Sequence, residues 1–315
     1  MGKRVVITGA SGMIGAALAQ ACTAAGEEVL AICRRGSPKN DILRRFTGVE
    51  VLEADLAEYA ELAGKHWGKK YDTFYHLAWA GTTGQARNDM VLQSGNIRNT
   101  LDAVELADHM GCHTFVGVGS QAEYGRCQEP LRPDSPAFPE NGYGMAKLCA
   151  GQMSRCSCGQ RGMRHIWARI LSVYGPHGSQ DMITLALQKI LQGEHVGFTA
   201  GEQVWDYLYS EDAARALRLM AERGVSGKTY VLGSGQARPL KEYLEVMYQA
   251  ACDRIKREER KAGTIGIGEL PYGEDQVMHL EGDIEELKQD TGYSSCIVFE
   301  EGIVRLLDQM ILKGA

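Results

Sequence analysis

The sequence predicts an α/β fold built on a doubly wound, mostly parallel β-sheet, with a smaller C-terminal lobe. Short runs of β-branched and apolar residues alternate along the chain with segments of helical periodicity, which is the pattern of βαβ units. In addition, the first strand candidate is followed by three glycines spaced three apart, and these open the first helix candidate. Both observations favour a sheet with helices on its two faces.

Seven strand candidates supply the predicted sheet. They are the runs at 3–8, 28–33, 49–54, 72–78, 113–119, 165–173 and 229–233. Helix-compatible segments lie between most of them, beginning with residues 12–26, which end on a glycine suited to a helix C-cap. Strands connected through helices are expected to run parallel.

The pattern changes near residue 175, which divides the predicted domains. Residues 1–175 are expected to form the main domain and residues 176–315 the smaller lobe, with a strand and a helix near 205–235 returning to the main domain. Within the lobe, residues 183–195 read as an amphipathic helix and residues 261–275 as a glycine-rich connection. The lobe is expected to cover the carboxyl edge of the sheet.

Composition limits the classes of partner. The chain has 315 residues and a net charge of −6, and its basic residues are interspersed with acidic ones, so no nucleic-acid footprint is expected. No apolar stretch reaches membrane-spanning length and no secretory leader precedes the first strand, which predicts a cytoplasmic protein without a membrane partner. Among nine cysteines the one close pair, Cys156 and Cys158, lacks a matching pair, so no metal site is predicted.

The glycine loop at residues 8–15 predicts a dinucleotide site. Gly9, Gly12 and Gly15 lie between a strand and a helix, where small residues let the backbone approach a pyrophosphate that the helix N-terminus favours. The other predicted contacts of the loop are Ser11, Met13 and Ile14.

The end of the second strand bears on which dinucleotide is bound. A carboxylate is expected there for an unphosphorylated ribose, but the chain has Arg34 and Arg35. Two guanidinium groups favour a 2′-phosphate, so NADP(H) is the preferred cofactor and NAD(H) the alternative, with a solvated arginine pair as the other interpretation. The remaining predicted cofactor contacts follow the third and fourth strands: Asp55, Leu56, Leu77, Ala78 and Ala80.

A serine, a tyrosine and a lysine suggest proton-transfer chemistry. Ser120 follows the fifth strand candidate, and Tyr143 and Lys147 lie four residues apart on a helix candidate. At this spacing the two side chains share one helical face, where an ammonium stabilises a phenolate. If Ser120 reaches them, the three form an acid/base centre.

These motifs, in this order, resemble the extended short-chain dehydrogenase/reductase family, which includes nucleotide-sugar epimerases, dehydratases and reductases. The resemblance runs nearly end to end through further segments at 95–100, 169–176, 205–216 and 283–293. It implies a Rossmann-type fold, a nucleotide-sugar substrate and a homodimer formed through the helices that carry Asn96 and Tyr143.

The resemblance also implies roles for individual residues. Ser120 would hydrogen-bond the substrate oxygen, Tyr143 would be the acid/base, and Lys147 would hold the cofactor ribose and lower the pKa of the phenol. Asn96 matches the asparagine of a family motif that serves as a proton relay, although Asn99 stands where that motif has glycine. The predicted substrate contacts are Gln121, Ser172 and Trp205.

Departures from the family pattern indicate which reaction to expect. The family's dehydratases carry an acidic residue after the catalytic Ser/Thr, and its ketone-adjacent epimerase-reductases carry a cysteine two residues after it, whereas this chain has Gln121 and Ala122. What remains is one hydride transfer with one proton. Within the family, the segments at 119–125 and 76–81 resemble those of 4-keto-6-deoxy-sugar reductases, and Arg34 and Arg35 favour an exchangeable NADPH over a retained NAD. This resemblance implies NADPH-dependent reduction of the 4-keto group of a nucleotide-linked 4-keto-6-deoxyhexose. The alternatives are a C4 epimerase with retained NAD and a non-catalytic NADP(H)-sensing protein.

The nucleotide end of the substrate is where the resemblance is weakest. Trp205 and Gly273 stand where relatives often have arginines that contact the pyrophosphate. Trp205 is suited either to stacking on a base or sugar or to packing in the core. Lys189 and Arg238 are other cations available to a phosphate.

Overall fold

A computed structural model of the chain describes residues 2–177, 181–256 and 262–312. The strands are β1 (Arg4–Thr8), β2 (Glu28–Cys33), β3 (Val49–Glu53), β4 (Thr73–His76), β5 (Thr114–Ser120), β6 (Arg164–Ile170), β7 (Ser172–Tyr174), β8 (His195–Phe198), β9 (Val204–Trp205), β10 (Tyr207–Tyr209), β11 (Thr229–Leu232), β12 (Arg238–Pro239), β13 (Thr264–Ile267) and β14 (His279–Leu280). The helices are α1 (Met13–Ala24), α2 (Tyr59–Ala63), α3 (Met90–His109), α4 (Gly142–Gln160), α5 (Met182–Leu191), α6 (Ser210–Arg223), α7 (Leu240–Lys256), α8 (Glu285–Thr291) and α9 (Phe299–Leu312).

The central sheet has seven strands in the order β11-β6-β5-β4-β1-β2-β3. All six neighbouring pairs are parallel, and each strand coincides with one of the seven strand candidates. The predicted Rossmann-type, doubly wound fold is therefore confirmed. The strand order reverses between β1 and β4, and in such sheets ligands bind in the crevice at the carboxyl ends beside that point.

Helices cover both faces of the sheet because its strands are apolar on both sides. Along β1, Val5 and Ile7 point to the core shared with α1 and α6, while Val6 points to the opposite core under α2 and α3. This alternation follows the period of two of a β-strand. Both faces are thereby buried, and the loops at the carboxyl ends are left to form a site.

The C-terminal part has its own apolar cluster. It is built from α5, α7 and α9, whose first residue is Phe299, together with aromatic residues of the small strands such as Tyr174 and Tyr209. Three small sheets accompany it: β7 with β10, β9 between β12 and β14, and β8 with β13. By contrast, β11 pairs with β6 and α6 packs on α1, so this part of the chain belongs to the main sheet. The domain boundary near residue 175 stays a prediction.

Two local predictions are wrong. The run 165–173 is not one strand, because the chain leaves the central sheet at Leu171 so that β7 can pair with β10. The connection at 261–275 contains β13, which pairs in parallel with β8; its residue 261 lies outside the described residues. A four-residue strand containing Gly266 carries too little periodicity to be found from sequence. Within the described ranges, no helix is both long and apolar enough to cross a membrane.

Candidate active site

The glycine loop between β1 and α1 needs its small residues. Gly9 has a φ of +68°, and a Cβ there would lie 2.8 Å from the Ala78 amide nitrogen. A Cβ on Gly15 would lie 2.4 Å from the Gly9 carbonyl oxygen. Gly12 is the N-cap of α1 without a side-chain cap, which leaves first-turn amides suited to an anion. The other predicted loop contacts, Met13 and Ile14, lie in this first turn. The glycine loop and the first turn of α1 therefore fit a dinucleotide pyrophosphate.

The two arginines after β2 have different surroundings. Arg35 donates to Glu58 at 2.6 Å, and Glu58 also accepts from the Asp55 amide at 2.7 Å. Arg34 is exposed and pairs with no carboxylate of the described chain. Asp55 and Leu56 begin the 3₁₀ turn that follows β3. Arg34 is therefore the better placed of the two arginines to meet a phosphate.

A cavity of about 410 Å³ adjoins the glycine loop. It is lined by Ser11 on one side and by Lys39 and Arg45 of the 3₁₀ helix Pro38–Arg45 on the other. These cations were not found from sequence, because their proximity to the loop depends on how residues 36–45 fold back.

The loop after β4 is held by side chains from two other elements. The amides of Leu77 and Ala78 donate to Thr8 Oγ1 at 3.2 and 3.3 Å. The side chain of Asn96 on α3 makes two hydrogen bonds to the Ala80 backbone, accepting from its amide at 3.0 Å and donating to its carbonyl at 2.9 Å. Asn96 thus shapes the predicted cofactor loop, and its part in proton transfer stays a prediction.

Gln93 and Trp79 are functional candidates that the sequence analysis missed. Gln93 is buried on α3, donates to the carbonyls of Gly81 and Ala86, and accepts from Trp79 Nε1 at 2.9 Å. It lies three residues before Asn96 on the same helical face, which was the available signal. The two amides together fix the loop and the orientation of the Trp79 indole.

Ser120, Tyr143 and Lys147 come together at the carboxyl end of β5. Asn141 caps α4 by accepting from the Gly144 amide at 2.9 Å. A Cβ on Gly144 would lie 2.1 Å from the Ala122 carbonyl oxygen, so the glycine permits the close approach of α4 to the turn after Ser120. The Ser120 hydroxyl is thereby close enough to the Tyr143 phenol to lower its pKa. Gln121 follows Ser120 at the start of the 3₁₀ turn Gln121–Glu123.

The environment of Tyr143 differs from the sequence expectation. Burial raises the pKa of the phenol, and the Ser120 hydrogen bond and the nearby Arg87 charge lower it only in part. Arg87 lies 4.4 Å from the centre of the Tyr143 ring. The prediction that Lys147 lowers this pKa is wrong in this structure, because desolvation of the phenol dominates. The ammonium of Lys147 donates to the Val118 carbonyl instead.

Lys147 is itself almost fully buried. Its Nζ donates to the Val118 carbonyl at 2.6 Å. Burial lowers the pKa of Lys147 to about 7, and the Glu123 carboxylate opposes this by raising it. The centre therefore combines a phenol that stays protonated with an ammonium close to its own titration point at neutral pH.

The predicted substrate residues Ser172 and Trp205 touch each other, with Trp205 Nε1 donating to Ser172 Oγ at 2.8 Å. Trp205 also lines a mostly apolar cavity of about 590 Å³ in the C-terminal part, together with Lys189 and Gln203. Arg238 lies apart from this cavity's lining and donates to Glu300 at 2.8 Å. Of the two available cations, Lys189 is the one that lines the cavity. Within the described residues, no cluster of three potential metal ligands occurs.

Comparisons with known proteins agree with this arrangement. Residues 5–233 match the family model described as "NAD dependent epimerase/dehydratase family". The chain is 25% identical over 327 residues to the ADP-L-glycero-D-manno-heptose-6-epimerase of Pseudomonas paraeruginosa, covering 95% of this chain and 96% of that protein.

Two solved structures share the fold. One is a UDP-N-acetylglucosamine 4-epimerase from Methanobrevibacter ruminantium in complex with UDP-N-acetylmuramic acid, with a TM-score of 0.85, 21% identity and 99% of each chain covered. The other is the enzyme WbmG of Bordetella bronchiseptica in complex with NAD, with a TM-score of 0.81, 20% identity and coverage of 100% of this chain and 96% of that one.

Proposed function

Because the chain belongs to the NAD-dependent epimerase/dehydratase family, we propose that it reduces the 4-keto group of a nucleotide-linked 4-keto-6-deoxyhexose with NADPH. The observation that carries the proposal is the buried phenol of Tyr143 beside Ser120 at the end of β5. The carboxylate that follows Ser120 most closely in the sequence is Glu123. It accepts hydrogen bonds from Arg169 and Trp167 and is therefore unavailable as a second acid or base. A phenol without a free carboxylate beside it suits hydride transfer and does not suit water elimination.

The chain's own residues would perform three tasks in this reaction. The hydroxyls of Ser120 and Tyr143 would donate hydrogen bonds to the carbonyl oxygen at C4 and orient it. Bound NADPH would supply the hydride. Tyr143 would then protonate the developing alkoxide, and its raised pKa supports this direction because the phenol carries its proton at neutral pH. Lys147 would place positive charge beside the phenolate that results.

The charges around the glycine loop support NADP(H). Arg34 is exposed without a carboxylate partner in the described chain, and Lys39 and Arg45 line the cavity beside Ser11. Asp41 lines the same cavity, but its carboxylate is paired with Arg44 at 2.7 Å. A 2′-phosphate at this edge would meet positive charge, whereas a free 2′-hydroxyl calls for a carboxylate acceptor. A reductase exchanges its cofactor at every turnover, which fits NADPH.

A C4 epimerase with retained NAD is the second candidate. It is favoured by the relatives, since the heptose 6-epimerase and the 4-epimerase named above are epimerases and WbmG was solved with NAD. The same Ser120, Tyr143 and Lys147 would serve, with Tyr143 first acting as a base. A non-catalytic cofactor sensor is less well supported, because all three side chains are present and brought together.

Absorbance of NADPH tests the proposal directly. Purified protein is mixed with a panel of nucleotide-linked 4-keto-6-deoxyhexoses, and NADH is run in parallel. Stoichiometric loss of NADPH with one of the sugars, and slower loss of NADH, is the expected result. Protein that retains NAD through purification and interconverts C4 epimers without net consumption would be an epimerase instead.

A further inference from the structure

Glu123 forms a buried ionic network directly behind Ser120. It has no exposed surface, and its carboxylate accepts from the Ser120 amide at 2.9 Å, from Trp167 Nε1 at 3.0 Å and from Arg169 Nε at 2.7 Å. Arg169 is itself only 5% exposed. A buried carboxylate with three donors is held in one position, and the backbone of Ser120 is held with it.

Glycines make the room for this network. A Cβ on Gly119 would lie 2.2 Å from Glu123 Oε1, and one on Gly117 would lie 2.3 Å from the Trp167 ring. On α4, a Cβ on Gly151 would lie 2.7 Å from the same ring. The Trp167 ring and the Glu123 carboxylate thus occupy the space that side chains at these three glycines would need. The buried charge therefore lies in a closely packed site.

Glu123 and Lys147 bind the same end of β5, because Glu123 accepts from the Ser120 amide and Lys147 donates to the Val118 carbonyl two residues earlier. The carboxylate raises the pKa of Lys147 and also that of Tyr143, while burial alone pushes the pKa of Lys147 down. The other ionisable groups around Lys147 are His76 of β4, which burial and Lys147 keep neutral, and Arg87 beyond the Tyr143 ring. Glu123 is therefore the anion that favours the charged form of Lys147.

We propose that Glu123 is a positioning residue of the reaction centre, which fixes the Ser120 hydroxyl through the Ser120 amide and retains the ammonium of Lys147 through its charge. The proposal rests on the proposed function in that Ser120 and Lys147 act in turnover. It holds equally for the epimerase, because both reactions use the same three side chains.

The substitution Glu123→Gln tests both effects. Three donors surround the carboxylate, so the NH₂ of a glutamine must face either the Ser120 amide or Arg169. We expect kcat to fall about ten- to a hundred-fold, as for loss of an aligned donor to the reacting oxygen. We also expect the pH at which NADPH affinity declines to move down by about one unit, because Lys147 then loses its proton earlier. NADPH binding is followed by fluorescence and needs no sugar.

Trp167→Phe is the matched control. It removes one donor, the indole N–H shared between the two carboxylate oxygens, but keeps the charge, the Ser120 contact and the Arg169 contact. We expect a lower Tm, a kcat within about twofold of the parent and an unchanged pH midpoint of NADPH binding. Equal loss of kcat in Glu123→Gln and Trp167→Phe, with unmoved midpoints, would overturn the proposal.

Glu123→Asp guards against misfolding of the glutamine variant and separates the two effects. The charge remains but the shorter side chain no longer reaches the Ser120 amide, so kcat should fall while the pH midpoint stays near that of the parent. A parental kcat in this variant would overturn the Ser120 part. If the parent itself consumes no sugar, the proposed reductase fails, whereas the pH shift of NADPH binding still decides the Lys147 part.

Discussion

Lys147 Nζ lies 3.9 Å from the centre of the Trp79 ring, while the same atom donates to the Val118 carbonyl at 2.6 Å. The ammonium is thus enclosed between an aromatic face and a backbone acceptor, with only 3% of the residue exposed. A cation over an indole is stabilised by the ring quadrupole, most strongly where water is excluded. Trp79 in turn is held by Gln93, so the loop predicted to contact the cofactor also holds Lys147.

Trp79→Leu should make Lys147 lose its proton more easily. A cation–π contact at a desolvated site contributes about 1–2 kcal/mol, which corresponds to a pKa lower by about one unit. We expect kcat/KM at pH 8 to fall about tenfold and to recover partly at pH 6.5. The pH profile of NADPH consumption measures this. Trp67→Phe, on the distant segment after α2, should leave the profile unchanged, and a fall that is equal at every pH would contradict the explanation.

The stability of the protein should rise with pH through Lys147. Its pKa is about 7 when folded and 10.5 as the ordinary value, so between these limits the unfolded chain holds a proton that the folded chain has lost. Stability increases with pH wherever the unfolded state binds more protons, at about 1.4 kcal/mol per pH unit for one group. The free-energy cost of burying the charged lysine is constant below pH 7 and decreases as the pH rises above 7.

Lys147→Met isolates this contribution. Urea unfolding at pH 7 and pH 9 gives the free energy of unfolding for parent and variant, and the parent should gain relative to the variant as pH rises. The other titrating groups, including Tyr143, are present in both proteins, so their contributions to the pH dependence largely cancel in the difference. Identical changes with pH in the two proteins would show that Lys147 keeps its ordinary pKa when folded.

Tyr143→Phe should remove most activity while leaving cofactor binding nearly intact. Loss of a general acid lowers rates by about 10²- to 10⁴-fold. NADPH consumption with the active sugar measures the loss, and NADPH fluorescence measures binding. Tyr124→Phe is the matched control, because it removes a phenol that donates to the Arg132 carbonyl and should cost stability only. Activity retained in Tyr143→Phe would exclude the proposed mechanism.

Much of the fold could be predicted because its signals are local. Each strand of the central sheet is a short, mostly apolar run, β1 and β11 are followed by glycine and β2 by arginine, and the first β-α unit carries its glycines in sequence. Ser120, Tyr143 and Lys147 were also found, since a helical spacing of four and a strand end are local features. The parts that were missed depend on contacts between distant segments. Trp79 reaches Lys147 across 68 positions, and no local pattern indicates that burial outweighs the lysine in setting the Tyr143 pKa.

The cofactor preference should respond to Arg34 more than to Arg35. Arg35 is engaged by Glu58, whereas Arg34 has no carboxylate partner in the described chain. We expect Arg34→Ser to raise the Kd for NADPH about ten- to a hundred-fold, as for loss of one charged phosphate contact, and to change the Kd for NADH little. Arg35→Ser should have the smaller effect. Titrations of both cofactors against both variants check this, and an equal response to NADPH and NADH in Arg34→Ser would place the 2′-phosphate elsewhere.

The homodimer implied by the family resemblance stays a prediction, and α4 offers the place to test it. Met145, Cys149 and Met153 recur every four residues on one face of α4, and Met145 and Met153 are 50% and 43% exposed. An apolar stripe of this kind on the helix that also carries Tyr143 suits packing against a second copy. We expect light scattering to give twice the chain mass and Met153→Glu to give the single-chain mass, because a charge would be buried at the interface. Val225→Glu, at a residue 45% exposed on another surface, should keep the mass of the parent. A parent of single-chain mass at micromolar concentration would contradict the predicted homodimer.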